Sequence, residues 1–111
     1  MSLTLARSDT FINDLERQLD WYVHESKLDL ADGLALANNF NDAVFETLEF
    51  LLLQPNIGRR RFPRRTELAG TRSWRVKPPF NRFLIYYYIR GETLSAERLI
   101  EGHREITTDK K

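Results

Sequence analysis

Residues 82–100 read RFLIYYYIRGETLSAERLI, and this stretch decides the fold. Its first part, Arg82 to Ile89, is rich in aromatic and β-branched side chains, which favour strands. A second β-like run follows from Thr93 to Ile100, and the intervening Arg90-Gly91-Glu92 has a length suited to a hairpin turn. We therefore expect two adjacent antiparallel strands in this part of the chain.

The flanking segments extend this sheet. Ser73 to Lys77 is a third β-like run, and Pro78-Pro79 separates it from the next strand. Leu3 to Ala6 alternates leucine with smaller residues and is predicted to form a short first strand. The segment from Arg59 to Arg72 has little apolar content and two short basic runs, so we interpret it as a loop. The sequence thus predicts four strands.

Two helices are expected between the first strand and this loop. Apolar residues recur at steps of 3, 4 and 3 along a first helix that begins at Ser8 or Asp9; they are Ile12, Leu15, Leu19 and Tyr22. The charged residues of this helix fall mostly off that stripe and are expected on its solvated side; they are Asp14, Glu16, Arg17 and Asp20.

The second predicted helix runs from about Leu30 to Leu53, with Asp29 as its cap. Its shared apolar face is expected to comprise Leu30, Leu34, Ala37, Val44, Leu48 and Leu51. Pro55 and Gly58 end the helix, because proline clashes with the preceding turn and glycine tolerates positive φ.

These elements predict one α+β domain over residues 1–111. An N-terminal strand and a two-helix hairpin precede three strands, in the order β-α-α-β-β-β. The hairpin is expected to cover one face of a mainly antiparallel four-stranded sheet. Because neighbouring strand residues point to opposite faces, at least one of Tyr86, Tyr87 and Tyr88 should face the helix-free side.

The composition narrows the classes of function. The 111 residues include no cysteine and two histidines, which excludes a disulfide scaffold, a thiolate metal site and a cysteine nucleophile. The longest apolar run, Phe50 to Leu53, is far shorter than the roughly 20 residues that span a bilayer. We expect a soluble cytoplasmic protein with no cofactor, no metal and no membrane partner.

The net charge of +1 conceals a strong asymmetry along the chain. Residues 1–54 carry 3 Lys/Arg and 10 Asp/Glu, a net −7, whereas residues 55–111 carry 14 and 6, a net +8. Five arginines are concentrated in the predicted loop; they are Arg59, Arg60, Arg61, Arg64 and Arg65. Such a dense run favours a polyanionic partner over a merely solvated basic loop.

Four strings in this order and spacing resemble the ParE/RelE superfamily of toxins from bacterial type II toxin–antitoxin modules. They are Gln54-Pro55-Asn56-Ile57-Gly58, the run from Glu67 to Arg72, the run from Pro79 to Tyr87, and Glu101-Gly102-His103-Arg104-Glu105. With the helical hairpin they cover nearly the whole chain. The resemblance implies a toxin that arrests growth, stabilises plasmids and is neutralised by a small cognate antitoxin, which generally binds through a flexible, often acidic segment.

The superfamily divides by target. RelE-like members cleave messenger RNA in the ribosome with basic residues and a C-terminal tyrosine, whereas ParE-like members poison DNA gyrase. By resemblance, Arg82 and Arg104 match the RelE-like arginines and Arg75 falls near a catalytic lysine position. However, residues 106–111 contain no tyrosine. His103 is the one plausible proton carrier beside Arg104, because arginine stays protonated at neutral pH.

The leading hypothesis is therefore a ParE-like gyrase poison that is not an enzyme. The alternatives are a metal-independent, ribosome-dependent endoribonuclease acting on messenger RNA, or a non-toxic degenerate relative that only binds a partner. If the chain is RelE-like, the catalytic residues are predicted to be Arg75, Arg82, His103 and Arg104. In either case the predicted residues for binding a partner or polyanion are Arg59, Arg60, Arg61, Arg64, Arg65, Arg72, Arg75, Lys77, Arg82 and Arg104.

Overall fold

A computed structural model describes residues 3–61 and 70–102 of the chain. Its elements are β1 (Thr4–Arg7), α1 (Asp9–Asp20), a π-helical turn (Trp21–Glu25), α2 (Leu30–Leu53), β2 (Arg59–Arg60), β3 (Arg72–Arg75), β4 (Phe83–Arg90) and β5 (Thr93–Glu101). The predicted α+β class is confirmed, as is the predicted extent of α2. None of the helices in the described ranges could serve as a transmembrane span.

The strands form one mixed sheet in the order β1-β5-β4-β3-β2. All neighbours are antiparallel except β1, which runs parallel to β5 and pairs Thr4 with Thr93. The prediction of four strands was wrong by one edge strand, because Arg59–Arg60 pairs with β3 instead of remaining a loop. The Arg61 amide extends this pairing by donating to the Thr71 carbonyl at 2.8 Å.

Local capping chemistry fixes where the two helices begin. The Ser8 hydroxyl accepts a hydrogen bond from the Phe11 amide at 3.0 Å and also donates to the Glu97 carbonyl of β5. The Asp29 carboxylate accepts from the Asp32 amide at 2.9 Å. Both caps satisfy amides that a helix start leaves without intrahelical partners, and the first also ties α1 to the sheet.

The two helices meet where α2 passes the π-helical turn. There the Ser26 amide donates to the Trp21 carbonyl at 2.9 Å, which is the i to i+5 spacing of a π-helix. Gly33 allows the close approach, since a Cβ at this position would lie 2.6 Å from the Tyr22 carbonyl oxygen. The first turns of α2 therefore pack on this turn.

The core lies between the helices and one face of the sheet. It comprises side chains from α1, α2 and the strands, among them Phe11, Phe40, Val44, Leu48, Leu51, Ile85, Tyr87 and Leu94. Two residues predicted for the buried face of α2 are instead exposed, Leu30 at 62% and Leu34 at 46%. Both lie in the first turns of α2, where Gly33 packs on the π-helical turn, and neither belongs to the core.

Asp14 is a second correction, because it is buried rather than solvated. Only 7% of the residue is exposed, and its Oδ2 accepts from Arg98 Nε at 2.8 Å and from the Leu99 amide at 2.9 Å. The hydrogen bond with Asp14 raises the pKa of the Arg98 guanidinium above its ordinary value. This carboxylate joins α1 to the end of β5 that follows the β4–β5 register shift.

Replacing this carboxylate should destabilise the whole domain. In Asp14→Ala the buried Leu99 amide and the Arg98 guanidinium lose their acceptor, so we expect the free energy of unfolding to fall by about 2–3 kcal/mol. Urea denaturation measures the change. The matched control is Glu16→Ala, an exposed carboxylate on the same helix, which should change stability by less than about 0.5 kcal/mol. Equal unfolding midpoints for the two variants would contradict the structural role of Asp14.

Candidate partner-binding groove

A groove of about 1170 Å³ runs between the C-terminal half of α2 and the outer edge of the sheet at β3. Apolar side chains from both elements line it. Phe50 on α2 is 39% exposed, and its ring lies 6.1 Å from the Trp74 ring on β3 at an interplanar angle of 31°. Val76 and Leu84 also line the groove. It is therefore wide enough for a chain segment and partly apolar.

Basic side chains surround this apolar surface. Five of the predicted binding residues line the groove together: Arg59, Arg61, Arg75, Lys77 and Arg82. Lys77 forms an ion pair with Glu46 of α2, and Arg82 Nε lies 3.5 Å from Glu101 Oε2. The local excess of positive charge favours an anionic partner.

Strand register decides which of these cations share a face. Arg59 pairs with Ser73, and Ser73 pairs with Tyr86, so these three residues point to the same side of the sheet. Arg61 lies there too, because its Nε donates to Ser73 Oγ at 2.7 Å and its guanidinium is 5.7 Å from the Tyr86 ring centre. Arg75, two residues beyond Ser73, shares this side.

Trp74 and Tyr87 point to the opposite, helix-covered side. Tyr87 is part of the core, whereas Tyr86 is buried outside that core beneath Arg61. The expectation that at least one tyrosine of β4 faces away from the helices is therefore confirmed. The groove thus has a cationic side on the helix-free face and an aromatic side that faces α2.

The end of β3 is held against both β4 and α2. The Val76 amide donates to the Phe83 carbonyl at 2.9 Å, which continues the pairing with the strand beyond Arg75. The next amide, that of Lys77, donates at 2.9 Å to the hydroxyl of buried Thr47. The strand predicted to reach Lys77 ends at Arg75, because Lys77 bonds to a helix instead of to a neighbouring strand.

The other edge of the groove depends on two residues that fix the turn after α2. The Tyr87 hydroxyl accepts from the Gly58 amide at 3.0 Å and donates to the Pro55 carbonyl at 2.8 Å. Arg72 Nη1 donates to the carbonyls of Asn56 and Gly58 at 3.1 and 2.9 Å. These bonds hold the turn from which β2 starts, and through it Arg59.

The remaining predicted residues lie elsewhere. Arg72 was proposed for partner binding, but its guanidinium holds the turn, and Arg60 is exposed without lining the groove. The structure brings Arg75 and Arg82 of the predicted catalytic set into one groove. The other predicted residues fall outside the described ranges: Arg64, Arg65, His103 and Arg104.

Sequence reasoning missed the α2 contribution to the groove. Glu46, Thr47 and Phe50 all line it, and none was selected as a candidate. For Phe50 a signal was present, because this large apolar residue lies off the predicted buried stripe of α2. For Thr47 and Glu46 no local signal existed, since their groove contacts are to Lys77, 30 and 31 residues away.

The fold and groove define a small α+β protein, a helical hairpin on a mixed sheet, with a groove lined by basic and aromatic side chains. Residues 5–105 match the sequence profile of the ParE toxin of type II toxin-antitoxin system, parDE. The chain belongs to this family, and the predicted superfamily resemblance is confirmed. No curated protein sequence matches the chain.

The solved structures that match the chain include the following two. One is from the chromosomal ParDE TA system of P. aeruginosa, with a TM-score of 0.66, 20% identity, and coverage of 89% of this chain and 95% of that chain. This likeness supports the fold. The other is the solution structure of the protein HP0894 from Helicobacter pylori, with a TM-score of 0.35, 17% identity, and coverage of 91% and 96%.

Removing the Tyr87 hydroxyl should weaken the groove edge and the domain. Tyr87→Phe leaves the buried Gly58 amide without its acceptor, so we expect a loss of about 1–3 kcal/mol in the free energy of unfolding. Tyr88→Phe on the same strand is the control and should be nearly neutral, since Tyr88 is only partly buried. Equal denaturation midpoints for both variants would contradict the role of the Tyr87 hydroxyl.

The same pair of variants has a distinct dependence on pH. Burial raises the pKa of the Tyr87 phenol above its usual 10.0, against the opposing effects of the Gly58 amide and Arg72. The unfolded chain therefore ionises first, and the stability that Tyr87 contributes is complete below pH 10.0 and lost as pH rises through the folded-state pKa. The stability difference between wild type and Tyr87→Phe should consequently shrink above pH 10.0, whereas a constant difference would contradict this linkage.

Proposed function

We propose that this chain is the toxin of a type II toxin–antitoxin pair, that it acts in the cytoplasm on DNA gyrase, and that a cognate antitoxin neutralises it. The single observation that carries the proposal is the match to the ParE toxin family over residues 5–105. The similar P. aeruginosa structure comes from a ParDE TA system, which supports an antitoxin partner for this chain.

The chemistry of the groove supports binding rather than catalysis. Its described basic residues are arginines and one lysine, and arginine does not give up its proton at neutral pH. The carboxylate of Glu46, which also lines the groove, is held by Lys77. Such a surface can stabilise negative charge, and the two described groove residues that could carry a proton, Glu46 and Lys77, are paired with each other. A poison that only binds its target must stabilise negative charge, but it does not need to transfer a proton.

The charge distribution supports neutralisation by an acidic partner. The basic residues of the groove belong to the half of the chain that carries a net +8, whereas the helical hairpin belongs to the half that carries −7. An antitoxin with an acidic segment is attracted to the groove side and repelled by the hairpin side. The toxin thus presents one electrostatically favoured surface to its antitoxin.

A gyrase assay with the purified chain tests this function. We expect inhibition of DNA supercoiling and accumulation of cleaved DNA, because a poison stabilises the enzyme in complex with broken DNA. The control is the same toxin premixed with its cognate antitoxin, sought as the product of any small reading frame beside its gene, which should restore supercoiling. Neither inhibition nor cleaved DNA at high toxin excess would contradict the gyrase proposal.

Two further measurements separate the alternatives. Codon-positioned cuts in messenger RNA during translation, lost in the Arg75→Ala, Arg82→Ala double variant, would indicate the RelE-like ribonuclease instead. Normal growth of cells that express folded, soluble protein would indicate a non-toxic relative that only binds a partner. Growth arrest together with uncut messenger RNA is the result that the gyrase proposal requires.

A further inference from the structure

We propose that an extended segment of the antitoxin, with alternating acidic and apolar residues, adds as a strand to the outer edge of β3 beside Arg75 and so occupies the groove. This inference rests on the proposed function for the identity of the partner. Three features of the groove support it. The backbone of Arg75 is unpaired on its outer side, Phe50 and Trp74 form an aromatic side, and arginines lie on the helix-free face.

The backbone of Arg75 is available on the outer side of β3. The Val76 amide points to β4, where it donates to the Phe83 carbonyl, so the Arg75 amide one residue earlier points outward. β2 covers this edge only as far as the pair of Arg59 with Ser73. Within the described ranges no strand lies opposite Arg75. Unpaired backbone N–H and C=O groups at a sheet edge of this kind can accept an added strand.

The residues two positions before and after Arg75 limit where a strand can bind. On one side Ser73 is already paired with β2, and on the other the Lys77 amide donates to the Thr47 hydroxyl. An incoming chain therefore gains its main-chain hydrogen bonds at Arg75 and must follow the groove between β2 and α2. Side-chain contacts along that groove supply the remaining affinity.

Alternation along the added strand predicts the chemistry of the segment. A residue opposite Arg75 points to the helix-free face, where Arg59 and Arg61 also lie, so acidic side chains are favoured there. Its neighbours point to the α2 side, toward Trp74 and Phe50, and apolar side chains are favoured. The expected segment thus alternates acidic and apolar residues.

Free cations strengthen this assignment. Among the described residues no ion pair reaches Arg59 or Arg75, and both are exposed. Acidic residues of the segment can pair with both without displacing an ion-pair partner from the described part of the chain. A nucleic acid strand would satisfy the cations, but it cannot form paired main-chain hydrogen bonds with the Arg75 backbone. The observations therefore favour a peptide.

Binding of a defined peptide tests the groove directly. The probe is a short synthetic peptide of alternating valine and glutamate, compared with one of alternating valine and lysine and with an oligothymidylate. We expect only the glutamate peptide to bind, with an affinity that falls about tenfold in Arg75→Glu. The matched control is Arg60→Glu, an equal charge reversal outside the groove, which should retain more of the affinity.

Hydrogen exchange distinguishes strand addition from purely electrostatic binding, because it reports on the backbone hydrogen bonds of Arg75. On saturation with the peptide, exchange of the Arg75 amide should slow about tenfold, whereas that of Val76, already bonded to β4, should change little. Unchanged exchange at Arg75 in the saturated complex would overturn strand addition. Equal losses of affinity in Arg75→Glu and Arg60→Glu, or tighter binding of the oligothymidylate, would overturn the peptide groove. If Arg75→Glu does not fold, Arg59→Glu replaces it.

The antitoxin itself distinguishes failure of this inference from failure of the proposed function. If the cognate antitoxin binds Arg75→Glu as tightly as it binds the wild-type toxin, and the wild-type toxin poisons gyrase, the proposed function stands and the groove assignment is wrong. If the toxin leaves gyrase unaffected while the glutamate peptide still protects the Arg75 amide, the gyrase proposal is wrong and the strand-binding edge stands.

Discussion

Burial of Tyr87 at the centre of the sheet is the constraint on which the remaining structure depends. The side chain is fully buried in the core, yet its hydroxyl reaches the turn after α2, where it bonds to both Gly58 and Pro55. A side chain at position 58 would collide with this hydroxyl, since a Cβ there would lie 2.3 Å from it. One phenol therefore sets where the long helix gives way to the edge strand, and with it the position of the groove.

Elements with local signals were predictable from the sequence. The cap at Asp29 and the break at Pro55 lie within a few residues of the ends of α2, and both bounds agree with the structure. Arg59–Arg60 had no such signal, because a two-residue edge strand exists only through its pairing with β3. Burial of Asp14 was equally hidden, since Arg98 lies 84 residues further along the chain. Distant pairing, rather than local preference, decided both cases.

The residues of the groove were also predictable from the sequence only in part. Residue type alone identified the cations, but it gave no means of telling Arg59 from its neighbour Arg60, or Arg75 from Arg72. Strand register separates them, because a shift of one residue moves every side chain to the other face. Arg59 and Arg75 consequently line the groove, whereas Arg72 turns to the helix side and holds the turn. The aromatic side of the groove, Phe50 with Trp74, depends further on how α2 crosses the sheet. The apolar periodicity of the helix sequence does not specify that crossing.

The basic residues of the groove also lower the folding stability of the free protein, and a partner would remove this effect. Arg59 and Arg75 are exposed on one face of the sheet, and repulsion between them opposes folding of the isolated chain, most strongly at low ionic strength. Among the described residues, Glu46 pairs with the neighbouring Lys77, and Glu101 pairs with Arg82. Carboxylates brought by a partner strand would relieve the repulsion while pairing the open backbone edge. The same residues that destabilise the free chain would thus strengthen its complex, so binding and folding stability are linked through this face.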